Sequence, residues 1–267
     1  MKAASTKSGA ADHAPTTKAA AMRLVPAASR TIAILRLLAM SDEPLTLKQI
    51  SSELKIVPSS CLHILRVLVA ESLLVLEPGT KRYQIGIGVL TFASKAMGQD
   101  RLLGFLQQET DGIARKYDIC AFATKLDGDR CFVVAVSLPR NTISIHAQLG
   151  SRYPVYMGAT GICYAALSEA DPKAVYQKVK SGKWASLPKQ ADWLANVQRC
   201  RKLGYAIDRE NYAAGMTLIT APVLSRDGRI THTLTAAIIG RVTGKSDLDD
   251  IGRTLLASTN KLLDFVQ

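Results

Sequence analysis

The chain has 267 residues, enough for two domains, and 48% of them are hydrophobic, which excludes global disorder. Its net charge of +12 favours an acidic partner, with nucleic acid as the first candidate. This charge is divided along the chain, because residues 1–85 hold 11 Lys/Arg against 6 Asp/Glu and residues 86–267 hold 23 against 16. Charge alone therefore gives little support to DNA binding.

The chain lacks the sequence signals of metal-binding, cofactor-binding, membrane and secreted proteins. The five cysteines have irregular spacings without a CxxC pair, which fits buried thiols in a reducing cytosol, so we expect a cytoplasmic protein. The four histidines form no HxxxH or HxH pair, and no phosphate-loop or dinucleotide signature occurs, so we predict no metal and no cofactor. No apolar run reaches the ~20 residues that span a bilayer, so we expect no membrane partner. Residues 1–24 are mostly small and polar, and they predict a disordered tail instead of a signal peptide.

The sequence from residue 25 onward predicts two short helices in succession. The first begins near Pro26, and its apolar stripe is predicted as Ile32, Leu35 and Ala39, widened by Ile34 and Leu38. Thr46 and Gln49 have the spacing of a capping box, so the second helix begins at about Leu47 and turns Leu47, Ile50 and Leu54 inward.

A third helix and a hairpin complete the pattern. The helix begins at Pro58 and is predicted to bury Leu62, Leu65, Leu68 and Val69. Its other face carries hydroxyls and then longer donors, which a DNA major groove accepts but which also suit an ordinary solvated face. The hairpin that follows has a Pro-Gly turn and then two cations, as in a wing that contacts phosphates. Together these elements predict a winged helix-turn-helix DNA-binding domain over residues 25–86, with DNA contacts at Thr46, Ser59, Ser60, His63, Arg66, Lys81 and Arg82.

The remaining pattern predicts linker and dimerisation helices over residues 87–117 and then an α+β domain over residues 118–267. Alternating residues predict strands over 119–125, 131–137 and 142–148, and two more strands follow residue 215. Gly158–Gly161 opens a helix with small residues, so its exposed N–H groups could attract an anion. Close packing of that helix on the sheet is the favoured explanation of these residues when they are taken alone.

These segments together resemble the isocitrate lyase regulator (IclR) family of bacterial transcription factors. The resemblance runs from about Pro26 to the C-terminus and is carried by PSSCLHILRVL, by the stretch Gly150–Gly161 and by GYAIDRENYAAG with the APV and DGRI that follow it. It implies a winged helix-turn-helix domain, a linker helix, and an effector-binding domain with a six-stranded antiparallel sheet. It also implies a homodimer or tetramer that binds a double-stranded DNA operator and a small-molecule effector.

The resemblance further implies where an effector lies. The matching positions are Thr142, Ile145, Tyr153, Ala159, Thr160, Gly161, Asp208, Met216, Leu218, Thr235 and Ala237. Family members that bind small oxo-acids carry a thiol at the position of Leu218 and a hydroxyl at that of Ala237. Because both donors are replaced by apolar groups here, we expect a larger, partly apolar carboxylate, such as an aromatic acid. On the DNA side, Ile64 and Leu73 replace an Arg and a Gly that many members carry, so the operator cannot be transferred from relatives.

Two other functions compete with a ligand-responsive regulator. The second domain of a DNA-binding protein could serve only for oligomerisation. An enzyme could use Cys163 or His146 with Asp208, although no spacing typical of a catalytic triad or dyad is present. We therefore predict a regulator without catalytic residues.

Overall fold

The structure, a computed structural model, describes residues 25–97, 101–138, 147–240 and 245–262. Internal contacts divide the chain into two compact units, Met1–Lys95 and Ala96–Gln267. Within the described ranges, none of the helices has the length and apolar character to cross a membrane.

The first unit combines helices with a small antiparallel sheet. Its elements are α1 (Pro26–Ala39), β1 (Leu45–Thr46), α2 (Leu47–Glu53), α3 (Pro58–Ala70), β2 (Leu74–Glu77), β3 (Arg82–Ile85) and α4 (Val89–Met97). The strands pair in the order β1-β3-β2. Ile34, Ile50, Leu65, Leu74 and Tyr83 are buried together, so α1, α2, α3 and the hairpin contribute to one core.

The predicted helix starts are confirmed. The Thr46 side chain accepts from the backbone N–H of Gln49, and the Gln49 side chain accepts from the backbone N–H of Thr46 at 2.9 Å, which satisfies two amides at the start of α2. Pro58 occupies the first turn of α3, where its missing N–H costs no hydrogen bond.

The predicted buried stripe of α1 is confirmed at Ile34 and Leu38 and wrong at Ile32 and Ala39. Ile34 and Leu38 are the buried residues of that helix, whereas Ile32 is 47% exposed and Ala39 is exposed. Apolar residues occupy several faces of α1, so periodicity alone could not distinguish the face on which the rest of the unit packs.

The second unit is an α+β domain. Its elements are α5 (Arg101–Tyr117), β4 (Cys120–Asp127), β5 (Arg130–Ser137), β6 (Arg152–Pro154), α6 (Gly158–Leu167), α7 (Pro172–Val179), α8 (Gln190–Leu203), β7 (Ala206–Arg209), β8 (Met216–Leu224), β9 (Ile230–Ile239) and α9 (Lys245–Asn260). All strand pairs are antiparallel, in the order β6-β5-β4-β9-β8-β7, so the predicted six-stranded antiparallel sheet is confirmed.

The six-stranded sheet lies between two helical layers. Phe122, Val133 and Leu218 point to one face, where they pack with residues of α6, α7 and α8. Alternate residues such as Ala123 and Ile219 point to the other face, where they pack with α5 and α9. Because successive residues of a strand face opposite sides, both faces of the central strands are apolar.

Two strands of this sheet were not recognised from the sequence. β6 and β7 have only three and four residues, too few for an alternating pattern to stand out. The predicted strand over 142–148 falls largely outside the described residues, and its last two residues, 147 and 148, are not in a strand.

We expect Leu65→Ala to lower the free energy of unfolding of the first unit by about 2–5 kcal/mol, because a fully buried leucine leaves a cavity. Circular dichroism of the helices measures this change. Both tryptophans, Trp184 and Trp193, lie in the second unit, so their fluorescence should report an unchanged transition. Val67→Ala, at a 61% exposed position of the same helix, is the matched control and should change stability by less than about 0.5 kcal/mol.

Candidate functional site

One face of α3 is free of contacts with the core of the first unit. Ser59, His63, Arg66 and Val67 are all exposed along this face, whereas Leu65 points to the core. The four residues are spaced four, three and one apart, which places them on one stripe of a helix. The stripe presents a hydroxyl, an imidazole, a guanidinium and an apolar group, the groups that can contact phosphates, base edges and thymine methyls.

The other predicted DNA contacts differ in how free their side chains are. Lys81 is exposed at the hairpin tip, and Ser60 is half-buried. Thr46 is engaged in the capping box with Gln49. Arg82 is half-buried and donates to the backbone carbonyl of Pro44 at 2.9 Å. Sequence reasoning missed Val67, although its position four residues after His63 was a usable signal.

The second unit contains a cavity of about 260 Å³ between the sheet and the start of α6. Its wall is mainly apolar, and within the described part of the chain it includes no Asp, Glu, Lys, Arg or His side chain. The lining residues are Phe122, Val133, Ala147, Ser151, Tyr153, Met157, Gly158, Thr160, Tyr212, Ala213, Met216, Leu218 and Thr235. Among the described residues, dipoles and hydroxyls are therefore the groups of this wall that can meet a charge on a bound molecule.

The start of α6 supplies such dipoles. No side chain caps this helix, and the first intrahelical bond is donated by the amide of Gly161 to the carbonyl of Met157 at 3.0 Å. The amides of Gly158, Ala159 and Thr160 precede that bond and have no acceptor within the helix. Gly158 and Thr160 line the cavity, so this end of the helix lies against it.

Two glycines allow this arrangement. Gly158 has a φ of +56°, and a Cβ there would lie 2.9 Å from the Leu218 side chain. A Cβ on Gly161 would lie 2.2 Å from the backbone oxygen of Tyr156. The small residues at the helix start therefore serve close packing, and they also leave the amides of the first turn uncovered.

Tyr153 places an unsatisfied hydroxyl in the cavity wall. The hydroxyl oxygen is buried and makes no hydrogen bond of normal distance and angle to a described residue. Burial also raises the pKa of Tyr153, so the hydroxyl stays protonated and able to donate at neutral pH. The hydroxyls of Thr124 and Thr160 are close enough to oppose part of the rise in its pKa. A buried donor without a partner is costly, and a ligand acceptor would relieve that cost.

Asp208 lies behind the cavity wall and does not line it. Its carboxylate is buried and accepts from the side-chain amide of Asn211 at 2.7 Å and from the backbone N–H of Tyr212 at 3.0 Å. Tyr212 and Ala213 belong to the wall, so Asp208 holds a lining loop in place. Desolvation raises the pKa of Asp208, and the two hydrogen bonds partly oppose that rise.

The structure brings together five of the predicted effector residues, namely Tyr153, Thr160, Met216, Leu218 and Thr235. Ala159, Gly161 and Ala237 are buried beside the cavity but do not line it, and Asp208 acts on the loop. Thr142 and Ile145 lie outside the described residues. The aromatic residues Phe122 and Tyr212 were missed, because they lie far apart in sequence and meet only in the folded domain.

Cys163, the nucleophile of the enzymatic alternative, is not placed for attack on a bound molecule. Its thiol is buried and donates to the carbonyl of Thr220 at 3.3 Å, and its sulfur lies 3.8 Å from that of Cys200. Burial raises the pKa of Cys163, which disfavours the reactive thiolate. All five cysteines are free and buried, as predicted.

Comparisons with known proteins give a consistent result. The profile described as "Bacterial transcriptional regulator IclR C-terminal" matches residues 99–262, and the profile described as "IclR helix-turn-helix domain" matches residues 27–78. The chain is 28% identical over 210 residues to the glycerol operon regulatory protein of Streptomyces griseus, covering 76% of this chain and 81% of that protein. It is 25% identical over 212 residues to the HTH-type transcriptional regulator BhcR of Paracoccus denitrificans, covering 76% and 74%.

Solved structures share the fold. An IclR transcriptional regulator from Alicyclobacillus acidocaldarius has a TM-score of 0.76 at 21% identity and covers 91% of this chain and 100% of its own. An IclR homologue from Microbacterium hydrocarbonoxydans in complex with 4-hydroxybenzoate has a TM-score of 0.72 at 15% identity, covering 89% and 99%.

We expect Asp208→Ala to lower the free energy of unfolding of the second unit by about 1–3 kcal/mol, because the Tyr212 amide loses its acceptor. An acid whose pKa is raised on folding takes up a proton, so the contribution of Asp208 to stability decreases as pH rises from its unfolded pKa through its folded pKa. The stability difference between wild type and variant should therefore shrink over that pH range. Tryptophan fluorescence during denaturation measures it.

The matched control for this change is Asp127→Ala, which removes an exposed carboxylate from the same domain. Its stability should stay within about 0.5 kcal/mol of wild type at every pH. Equal effects of the two substitutions would show that Asp208 does not anchor the loop.

Proposed function

Because this chain belongs to the IclR family of DNA-binding bacterial transcriptional regulators, we propose that a small carboxylic acid, bound in the cavity of the second unit, controls its affinity for operator DNA. The related proteins are transcriptional regulators, in keeping with a chain that acts by binding. The effector would bias the population of DNA-competent states, since a ligand shifts an equilibrium by its difference in affinity for the two states.

The observation that carries the proposal is the pairing of two unsatisfied groups at the cavity. The hydroxyl of Tyr153 is buried without a partner, and the first-turn amides of α6 have no cap. Both are donors, and a helix N-terminus carries partial positive charge, so together they suit a carboxylate. We assign its oxygens to the amides of Gly158 and Thr160, which line the cavity, and to the Tyr153 hydroxyl. Gly161 is left out because its amide already donates to Met157.

The rest of the cavity supports a partly apolar acid. Phe122, Val133, Met216 and Leu218 supply an apolar wall, and a volume of about 260 Å³ is of the order needed for a single ring with a few substituents. A very small and polar acid would leave much of this wall without contacts. The related structure with 4-hydroxybenzoate supports an aromatic acid as the first class of molecule to test.

On the DNA side, we assign sequence reading to the exposed stripe of α3, namely Ser59, His63 and Arg66, with Val67 as an added apolar contact. Lys81 at the wing tip is assigned to phosphate. We also propose that two copies pair through the exposed apolar residues at α4, since Ile87, Leu90 and Phe92 are 78%, 56% and 67% exposed. A pair of copies would present two reading helices to a symmetric operator.

We expect Arg66→Ala to weaken binding to an operator, selected from a random-sequence pool, by about 1–3 kcal/mol, and to weaken binding to unrelated duplex much less. The reason is that a guanidinium on the exposed stripe can donate to base edges. Lys81→Ala, the control, should weaken binding to both duplexes equally. If Arg66→Ala lowers the affinity for the operator and for unrelated duplex by the same factor, Arg66 contacts phosphate and does not read sequence.

We expect 4-hydroxybenzoate and benzoate to bind more tightly than glyoxylate or pyruvate, and neutral amides of the same acids to bind more weakly. Tyr153→Phe should reduce the affinity for the bound acid ~10- to 100-fold, as for loss of a hydrogen bond to a charged group. The same variant should leave the stability of the unliganded domain nearly unchanged, because the hydroxyl makes no hydrogen bond of normal geometry to a described residue.

Calorimetric titration measures the affinities, and tryptophan fluorescence measures the stability. Tight binding of pyruvate with none of aromatic acids would refute the assignment of the effector class. If no carboxylate in a broad thermal-shift screen stabilises the protein, the second domain serves for oligomerisation instead.

A further inference from the structure

The positive charge of the second unit is concentrated in one segment. Residues 172–202 contain eight Lys/Arg and one Asp/Glu, whereas the rest of residues 86–267 contains 15 of each. The excess therefore comes entirely from α7, α8 and the loop between them. None of these eight cations lines the cavity, so effector binding does not account for them.

Two hydrogen bonds hold the loop after α7 against that helix, and four lysines lie on the helix and the loop. The hydroxyl of Tyr176 in α7 donates to the carbonyl of Pro188 at 2.7 Å, and the indole of Trp184 donates to the carbonyl of Val179 at 2.8 Å. These bonds fold the loop back onto the helix. Lys173 and Lys180 lie three and four residues from Tyr176, Lys183 precedes Trp184, and Lys189 follows Pro188. We call Lys173, Lys180, Lys183 and Lys189 the basic patch.

The lysines of the basic patch make no ion pair in the described part of the chain. All four lysines are exposed, and none has a carboxylate within ion-pair distance there. Neighbouring cations differ in this respect. Lys178 contacts Asp129 at 3.4 Å, Arg199 contacts Asp249 at 3.3 Å, and Arg201 donates to the carbonyl of Ala166.

The chemistry of the basic patch suits a phosphate backbone. Lysines are flexible point charges that bind phosphate without reading sequence. The described residues of the first unit, 25–95, hold eight Lys/Arg against five Asp/Glu, so the winged helix itself has a modest excess of positive charge. The polyanion that this chain meets through its family function is duplex DNA.

We propose that the basic patch of the effector domain contacts the phosphates of DNA that the winged helix has bound, and that it adds affinity without adding sequence specificity. A patch tethered to a bound reading head meets DNA at high effective concentration, so even weak phosphate contacts become significant. The proposal rests on the DNA-binding function of the family and is independent of the assignment of the effector.

The test compares two triple variants of the full chain with wild type. Lys180→Gln, Lys183→Gln and Lys189→Gln together remove three charges from the basic patch and leave Lys178 and its contacts intact. The matched control, Arg115→Gln, Lys125→Gln and Arg226→Gln, removes three exposed charges elsewhere in the same unit. Binding to a duplex of random sequence is measured by fluorescence anisotropy over a range of salt concentrations, and tryptophan fluorescence checks that both variants are folded.

We expect the patch variant to reduce the slope of log affinity against log salt by about two to three, since each phosphate contact contributes ~0.9. Its affinity near ~0.1 M salt should fall ~10-fold or more, while the control stays within about twofold of wild type. If wild type binds the duplex and the patch variant has the same slope as wild type, the proposal is overturned. An acidic protein surface would then be the alternative partner of the basic patch. Absence of duplex binding by wild type itself would instead contradict the DNA-binding function.

Discussion

The effector domain depends on the close contact between Gly161 and the backbone of Tyr156. With a side chain at Gly161, the first turn of α6 could not lie against the segment that precedes it, because a Cβ would meet the Tyr156 carbonyl at 2.2 Å. The side chain of Tyr156 fixes the same segment from the other side through hydrogen bonds with Asp129 and Lys178. Tyr153, three residues earlier, is held by the pairing of β6 with β5, in which it lies opposite Cys131. The steric contact at Gly161 and this strand pairing together place the helix N-terminus and the Tyr153 hydroxyl at one cavity.

The cavity and the surfaces assigned to DNA differ in their electrostatics. The described residues that line the cavity include no charged side chain, so the dipoles of α6 and the hydroxyl of Tyr153 are the groups that they offer to a carboxylate, and these groups lose little by desolvation. The surfaces assigned to DNA are exposed and carry mobile cations, which suits a partner whose affinity comes largely from counterion release. This difference explains why the net charge of the chain predicted its function poorly. The groups assigned to effector binding carry no formal charge, so they do not contribute to net charge.

Small residues at the start of a helix can serve either close packing or ligand binding, and α6 shows both uses. Small residues at Gly158–Gly161 could be explained by an anion site or by close packing, and the structure contains both features. Gly161 packs, whereas Gly158 and Thr160 line the cavity. Asp208 shows the same division of roles, because it supports the wall through Asn211 and Tyr212 and does not line the cavity itself.

The sequence by itself determined the order of elements, the helix starts at Thr46 and Pro58, and the family, because caps, turns and amphipathic helices are local patterns. It also indicated five of the residues that line the cavity. Only the tertiary structure decided which face of α1 is buried, that short strands at 152–154 and 206–209 complete the sheet, and that Phe122 and Tyr212 share a cavity. It also decided that the loop after α7 folds back onto that helix through Tyr176 and Trp184. These features join residues far apart in the chain, and their energies come from packing and burial, which no local pattern encodes.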